Sequence, residues 1–390
     1  MTDIGVLTYH NNENRGAILQ AYALCELLED TFDTNVDLIE YRTKSKERDR
    51  RNSLFISKHL ERIVRTPQRV RDRRIIETFL DDELPTSEES IVTDNHQEAV
   101  KWLNKQSYNL LVTGSDEIWK INEQKNTNIR SKIFPSRPFP NLYFLDPSIS
   151  AVKASYAASA NKTDINTLSS QSITKFKKHI GEYKHISVRD RHTKNILNEL
   201  GVNDVTLVPD PTLMVEIPTR NVDSIFRNLG IDPRKPILGF HGPNQQAFKE
   251  ICHQYRERGF QIVTPRSSPF ADIELEGVVD PFEYYTAYQY FDMVVTNSLH
   301  STIFSLKHGV PFVTIDTDSI YESIQSKTHS LLQDVSMTDR HISAVDGDVS
   351  EFYEDMDRLE QSPDQSHIES QVSKLRDRGF DYLERVEKTL

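Results

Sequence analysis

Ile4-Gly5-Val6-Leu7-Thr8 is a short apolar run of the kind that forms a buried parallel strand. A polar loop follows, His10-Asn11-Asn12-Glu13-Asn14-Arg15-Gly16. From Ala17 to Leu28 apolar residues then recur at helical spacing: Ile18, Leu19, Tyr22, Leu24, Leu27 and Leu28. Val36-Asp37-Leu38-Ile39 reads as the next strand. Strand, loop, helix, strand is the opening βαβ unit of a doubly wound α/β sheet, whose ligands gather at the carboxyl ends of the strands.

The alternation resumes further on. Tyr108 to Val112 reads as a strand running into Thr113-Gly114-Ser115-Asp116, and Val152 to Ala157 as one running into Ala158-Ser159. A helix is predicted over 165–180, a strand at His185 to Val188 leading to Arg189-Asp190, and a closing strand at Val205 to Val208 before Pro209-Asp210-Pro211. The stretch Thr212 to Lys235, with Pro218 and Pro233, marks a domain boundary. A second series begins at Pro236 to Phe240 and continues through a helix at 245–257, a strand at Phe260 to Thr264 and a helix at 281–289. It ends with the strand Asp292 to Val295, a helix from Leu299 and the strand Pro311 to Ile315. The expected organisation is a Rossmann-like domain over 1–215, a second over 236–345 and a helical tail over 346–390, with an inter-domain cleft as the ligand site.

Composition agrees with this class. The 390 residues carry 47 Lys+Arg against 59 Asp+Glu, a net charge of −12, with 37% hydrophobic residues. Two domains fit that length. No apolar run is long enough for a membrane-spanning helix, and Met1-Thr2-Asp3-Ile4 does not start a signal peptide. The two cysteines, Cys25 and Cys252, build neither a disulfide framework nor a zinc site. A cytoplasmic protein is the expectation. The segment 42–74 holds 13 Lys/Arg against 4 Asp/Glu, leaving −21 for the rest of the chain. So acidic a remainder argues against a nucleic-acid partner. The segment itself reads either as a solvated, partly helical excursion or as a contact for an anionic partner, such as the inner membrane face or a lipid-linked glycan.

The loop after the first strand has one glycine where a dinucleotide fingerprint needs three, and no Walker A motif occurs, so nicotinamide and P-loop chemistry are poor fits. No cofactor and no metal ligand set is read. The most informative stretch is Asn297-Ser298-Leu299-His300-Ser301, where a strand passes into a helix. A helix start collects anions and disfavours imidazolium, so His300 is neutral until an anionic substrate arrives. The alternative is a histidine merely packed at a strand end. Arg189, at a strand end in the other half, and Arg266, after Val263-Thr264-Pro265, are candidate clamps for carboxylate or phosphate. Asp116 reads as a sugar-hydroxyl acceptor or a helix cap, and Trp119 as a surface for a sugar ring.

These blocks resemble those of the polysaccharide pyruvyl transferases. Asn14-Arg15-Gly16-Ala17-Ile18-Leu19-Gln20 is similar to the family's amino-terminal signature, and Gly114-Ser115-Asp116-Glu117-Ile118-Trp119 to its Gly-Ser-Asp-x-x-Trp segment. Ser155 to Ser159, Ser187 to Asp190, Asp210-Pro211-Thr212, and Thr296 to Ser305 with Gly309-Val310-Pro311-Phe312 resemble later blocks, in family order. The resemblance implies a glycosyltransferase-B-like fold. It also implies transfer of pyruvyl from phosphoenolpyruvate to two hydroxyls of a saccharide, giving a cyclic ketal and phosphate. It carries His300 and Arg189 over as the donor-site pair. Asn14, Arg15, Gly16, Ser115, Asp116, Arg266, Ser298 and Leu299 are the expected substrate-binding residues around them. Some members have a basic residue where this chain has Ser298, which leaves the helix amides, Arg266 or Arg15 to hold the donor phosphate. Asn161 stands where many members have glycine. A nucleotide-sugar glycosyltransferase and a non-catalytic glycan binder are the competing readings of the same architecture.

Overall fold

A computed structural model describes residues 4–48, 66–121 and 138–390. The expectations placed on 49–65, the middle of the basic excursion, and on 122–137 lie outside the described residues.

The first sheet is wholly parallel, in the order β3-β2-β1-β4-β5, from β1 (Ile4–Leu7), β2 (Val36–Arg42), β3 (Thr86–Val92), β4 (Leu110–Gly114) and β5 (Val152–Tyr156). Bridges Ala154–His185 and Ala158–Val188 carry it on toward the short pair β6 (Ser187–Val188) and β7 (Thr206–Leu207). The second sheet is also parallel, in the order β10-β9-β8-β11-β12-β13. Its strands are β8 (Ile237–His241), β9 (Gln261–Thr264), β10 (Ile273–Glu274), β11 (Met293–Thr296), β12 (Phe312–Asp316) and β13 (His341–Ser343). Both orders are Rossmann-type. They reverse between β1 and β4 and between β8 and β11, which puts a crevice at the carboxyl ends of those four strands.

Helix α1 (Arg15–Phe32) begins at an Asn14 cap, whose side chain accepts from the Gly16 N–H, and buries its apolar face on both domains. Tyr22 meets Phe282 of the second domain edge to face at 5.1 Å. Helix α2 (Thr66–Glu83) buries Ile76, Phe79 and Leu80 in the shared core, although its sequence is largely charged. The described end of the basic excursion is therefore a packed helix. Asp72 accepts from the Gly277 N–H at 2.7 Å and from Arg15, and Gln68 donates to the Glu276 carbonyl, so α2 fastens one domain to the other.

The structure differs from expectation in two places. The strand β3 goes unread in the sequence because Thr86-Ser87-Glu88-Glu89-Ser90 is polar and half-exposed, as suits an edge strand. The tail is not one unit. Phe352 and Leu359 join the second-domain core, whereas the helix Gln365–Glu387 returns to the first domain, where the Tyr382 hydroxyl donates to the Ser155 carbonyl at 2.6 Å. Asn161 takes the left-handed conformation, φ 45°, which Asn adopts more readily than most residues other than glycine.

Candidate functional site

The crevice is a cavity of about 500 Å³. Its walls are the loop after β1, the end of β2, Asp116 and Glu117 after β4, Asn141 and Tyr143 from the segment before β5, and, from the second domain, Arg266, Asn297 to His300 and Lys327. Helix α2 adds Arg73, Ile76, Glu77 and Leu80, and most of the remaining lining follows the carboxyl end of a strand, as the switch-point rule requires.

On the second-domain wall, helix α3 (Leu299–His308) starts directly after β11. Ser298 is its N-cap and makes no side-chain cap, so the first-turn N–H groups are left to a ligand, beside the positive helix end. Arg266, after β9, is exposed and has no partner among the described residues. The helix end and this arginine put positive potential on this wall of the cavity.

His300 is 7% exposed, and its Nε2 is buried without a hydrogen-bond partner among the described residues. Burial pushes its pKa down to about 4, against the upward pull of Asp210, while Arg189 pushes further down. The free protein therefore holds a neutral imidazole at pH 7. Its ring packs over Gly16: a Cβ there would come within 2.5 Å of Nδ1. Gly16 thus makes room for His300 from behind rather than touching the cavity.

Arg189 and His300 come from opposite domains and meet at Asp210. The guanidinium donates to Asp210 at 3.1 Å and reaches Asp116 at 3.5 Å, while His300 Nε2 lies 3.8 Å from the same Asp210 carboxylate. Arg189 is fully enclosed. Its surrounding acids hold the charge on despite burial, and its Nε is unpartnered among the described residues. It lines a small side chamber with Asp210, Leu299 and Lys327, next to the main cavity. Asp116 has φ 68°, a left-handed conformation that Asp tolerates better than most residues. The preceding Gly114 has φ 122°, and a Cβ there would lie 2.1 Å from the Tyr156 carbonyl oxygen, so only glycine fits.

Other residues read from the sequence are placed away from the cavity. Arg15 is 3% exposed and donates to Asp72 and to the Val279 carbonyl, acting as an inter-domain tie. Ser115 is buried and accepts from Gln20. Trp119 is fully buried against Tyr183, which corrects its reading as a sugar-stacking surface. Asn14, Asp116, Arg266, Ser298, Leu299 and His300 do line the cavity.

Several contributors were not read from the sequence. Asp210 appeared only as part of a motif, and its bridging role needs both domains in place. Lys327 donates to Glu117 at 2.8 Å across the cleft. His10 sits between the Thr8 carbonyl at 3.1 Å and Glu40 at 2.6 Å. Burial favours the neutral Glu40 acid, but the His10 hydrogen bond and Arg42 outweigh it and pull its pKa to about 2. Tyr9, Tyr41 and Tyr143 pack edge to face, at 4.7 and 5.2 Å, on the first-domain wall. Aromatic faces flanked by amides such as Asn11 and Asn141 suit a saccharide.

The family profile described as polysaccharide pyruvyl transferase matches residues 14–319. No curated protein matches the chain in sequence. Among solved structures, the S. aureus MnaA–UDP co-structure superposes with a TM-score of 0.53 at 10% identity, covering 99% of this chain and 95% of that one. UDP-GlcNAc 2-epimerase from Neisseria meningitidis, bound to UDP-GlcNAc, gives 0.53 at 12% identity with both chains fully covered. The enzyme of that name from Methanocaldococcus jannaschii gives 0.53 at 12% identity, covering 95% of this chain and 98% of that one. At such identities the likeness is one of fold, and the fold is glycosyltransferase-B-like.

Proposed function

This chain belongs to the polysaccharide pyruvyl transferase family, and on that premise we propose that it moves the pyruvyl group of phosphoenolpyruvate onto two hydroxyls of one saccharide, forming a cyclic ketal and releasing phosphate. The observation that carries this reading is His300, a neutral buried imidazole with an unpartnered Nε2 at an uncapped helix start in the cleft.

The donor is a small, multiply charged anion. Its charged groups would lie against the first-turn amides of α3 and Arg266, with Lys327 and the enclosed Arg189 adding positive potential. Negative charge beside His300 reverses the balance that keeps the ring neutral, so the bound donor makes it a better base for a proton. That proton comes from solvent or from the donor's phosphate, whose second pKa is about 6. His300 then delivers it to the enol methylene carbon, which becomes the methyl group. C2 is left oxocarbenium-like and is attacked by the first acceptor hydroxyl, which gives up its proton. Expulsion of phosphate and attack by the second hydroxyl, whose proton leaves with the phosphate, close the ketal. On this reading the tyrosine-lined wall receives the acceptor, and Asp116, which lines the cavity, takes the first hydroxyl's proton.

The test is phosphate release from phosphoenolpyruvate against a panel of galactose-, mannose- and glucuronate-bearing glycans, free and lipid-linked, with the product followed by mass spectrometry. Release only when an acceptor is present, with one ketal formed per phosphate, is the expected result. Binding of a nucleoside diphosphate sugar together with indifference to phosphoenolpyruvate would overturn it.

A further inference from the structure

The segment that brings Asn141 and Tyr143 to the cavity wall continues to Asp146, and there the fold assembles a group that no spacing in the sequence announces. His96 opens the helix His96–Leu103, Asp146 lies on the segment before β5, and His179 ends the helix Ser170–Ile180. One ligand atom from each lies within 4.8 Å of the other two. His96 Nε2 is 2.9 Å from Asp146 Oδ2, and the two imidazoles meet edge to face at 5.6 Å between centroids.

We propose that His96, Asp146 and His179 form a divalent transition-metal site of the zinc class, separate from the cleft chemistry, which fastens the Asn141–Tyr143 wall to the two helices behind it. His179 and Asp146 are held by their other contacts with a ligand atom free to turn toward the group. His179 Nδ1 lies 3.1 Å from the Leu145 carbonyl. A carbonyl only accepts, so Nδ1 carries the proton and Nε2 keeps its lone pair, the arrangement typical of metal-bound histidine. Asp146 holds one oxygen toward His96 while its other accepts from the Ser148 N–H and hydroxyl, at 2.9 and 2.6 Å, which fixes the carboxylate plane. Nε2 is the His96 nitrogen that faces Asp146, so metal binding there displaces its proton; Nδ1, buried without a partner among the described residues, has no competing hydrogen bond and can carry the ring's remaining proton.

Two imidazole nitrogens and one carboxylate oxygen suit zinc and its neighbours better than magnesium or calcium, which prefer oxygen. Tetrahedral ligands at about 2.1 Å from a metal lie roughly 3.4 Å apart, so closing the group takes side-chain shifts of about 1 Å. His96 and Asp146 are 14% and 15% exposed, which leaves an entry path and room for water as the fourth ligand. The consequence for the cleft is positional. Asp146 lies three residues from Tyr143, so metal binding would reduce the freedom of the acceptor wall without touching donor chemistry.

The test uses the full chain stripped with a chelator and titrated with Zn²⁺ in a calorimeter, and with Co²⁺ in a visible spectrometer. Expected are one ion per chain, cobalt bands of a four- or five-coordinate nitrogen–oxygen site that Zn²⁺ displaces, and a raised thermal midpoint with metal. His96→Gln and Asp146→Asn should each weaken binding by at least about 100-fold. His253→Gln, at an exposed histidine elsewhere, should leave binding unchanged. Weak multi-site uptake with no cobalt bands in the wild-type protein overturns the proposal without reference to any variant. Stoichiometric binding that survives both substitutions overturns the assignment of ligands.

Discussion

His300 is where burial, charge and chemistry meet, and its behaviour is testable in two independent ways. Replacing it with Gln keeps the shape of the side chain but removes the transferable proton, so phosphate release should fall by about 10²- to 10⁴-fold in a protein with unchanged circular dichroism. Activity within tenfold of the parent would exclude it as the acid. The second test needs no substrate. Burial holds His241, His300 and His308 at about 3, 4 and 4, against about 6.5 in an unfolded chain. Between those values the unfolded chain binds protons that the native protein does not. The stability contribution is therefore complete above pH 6.5 and drains away as the pH falls toward 4, at up to about 1.4 kcal/mol per pH unit for each histidine. Urea unfolding from pH 7 to pH 4.5 should show this slope, and His300→Gln should make it shallower. An unchanged slope would mean that His300 already carries its proton in the free protein.

At the scale of elements, the start of α1 and the length of α2 act as spacers for the site. Gly16→Ala places a methyl group against the His300 ring, which must turn or retreat. The expected outcome is a fall in kcat of at least about tenfold, since a misplacement of about 1 Å is costly to catalysis, together with a loss of about 1–3 kcal/mol of stability from crowding a buried ring. A kcat equal to the parent's would show that the ring's present position is not needed. Asp72→Ala probes α2 in the other direction. It leaves Arg15, 3% exposed, without its carboxylate and the Gly277 N–H without its acceptor. Removing one partner of a buried pair costs about 3–5 kcal/mol, measurable as a lower urea midpoint. Neither role is visible in the local sequence. A glycine at a helix start and an aspartate in a basic run look alike whether they face solvent, a ligand or another domain.

Across the whole molecule, the returning helix Gln365–Glu387 belts the second domain to the first. It buries Ile368, Leu375, Tyr382, Leu383 and Val386, each worth roughly 1.5–3 kcal/mol. That sum is comparable to the whole stability of an ordinary domain, about 5–15 kcal/mol. A chain ending after Gln361 should therefore be recovered as aggregate or as a species that binds hydrophobic dyes, even though both sheets remain intact in its sequence. A soluble, cooperatively unfolding truncation would show the belt to be dispensable. The repeating strands and helices of both domains were legible because period and turn chemistry are local properties, and so was the passage from strand into helix at Asn297–Ser301. The ordered motif blocks likewise carried the family. What distance along the chain hides is which groups share a dielectric environment. Asp210 bridging Arg189 and His300, Arg15 spent on Asp72 instead of a ligand, the burial of Trp119, and the meeting of His96, Asp146 and His179 all depend on packing between segments tens to hundreds of residues apart. Covalent neighbours set the local backbone pattern, but burial and electrostatic partnership, which decide whether a charged side chain binds substrate or braces the fold, exist only once the two domains have closed on one another.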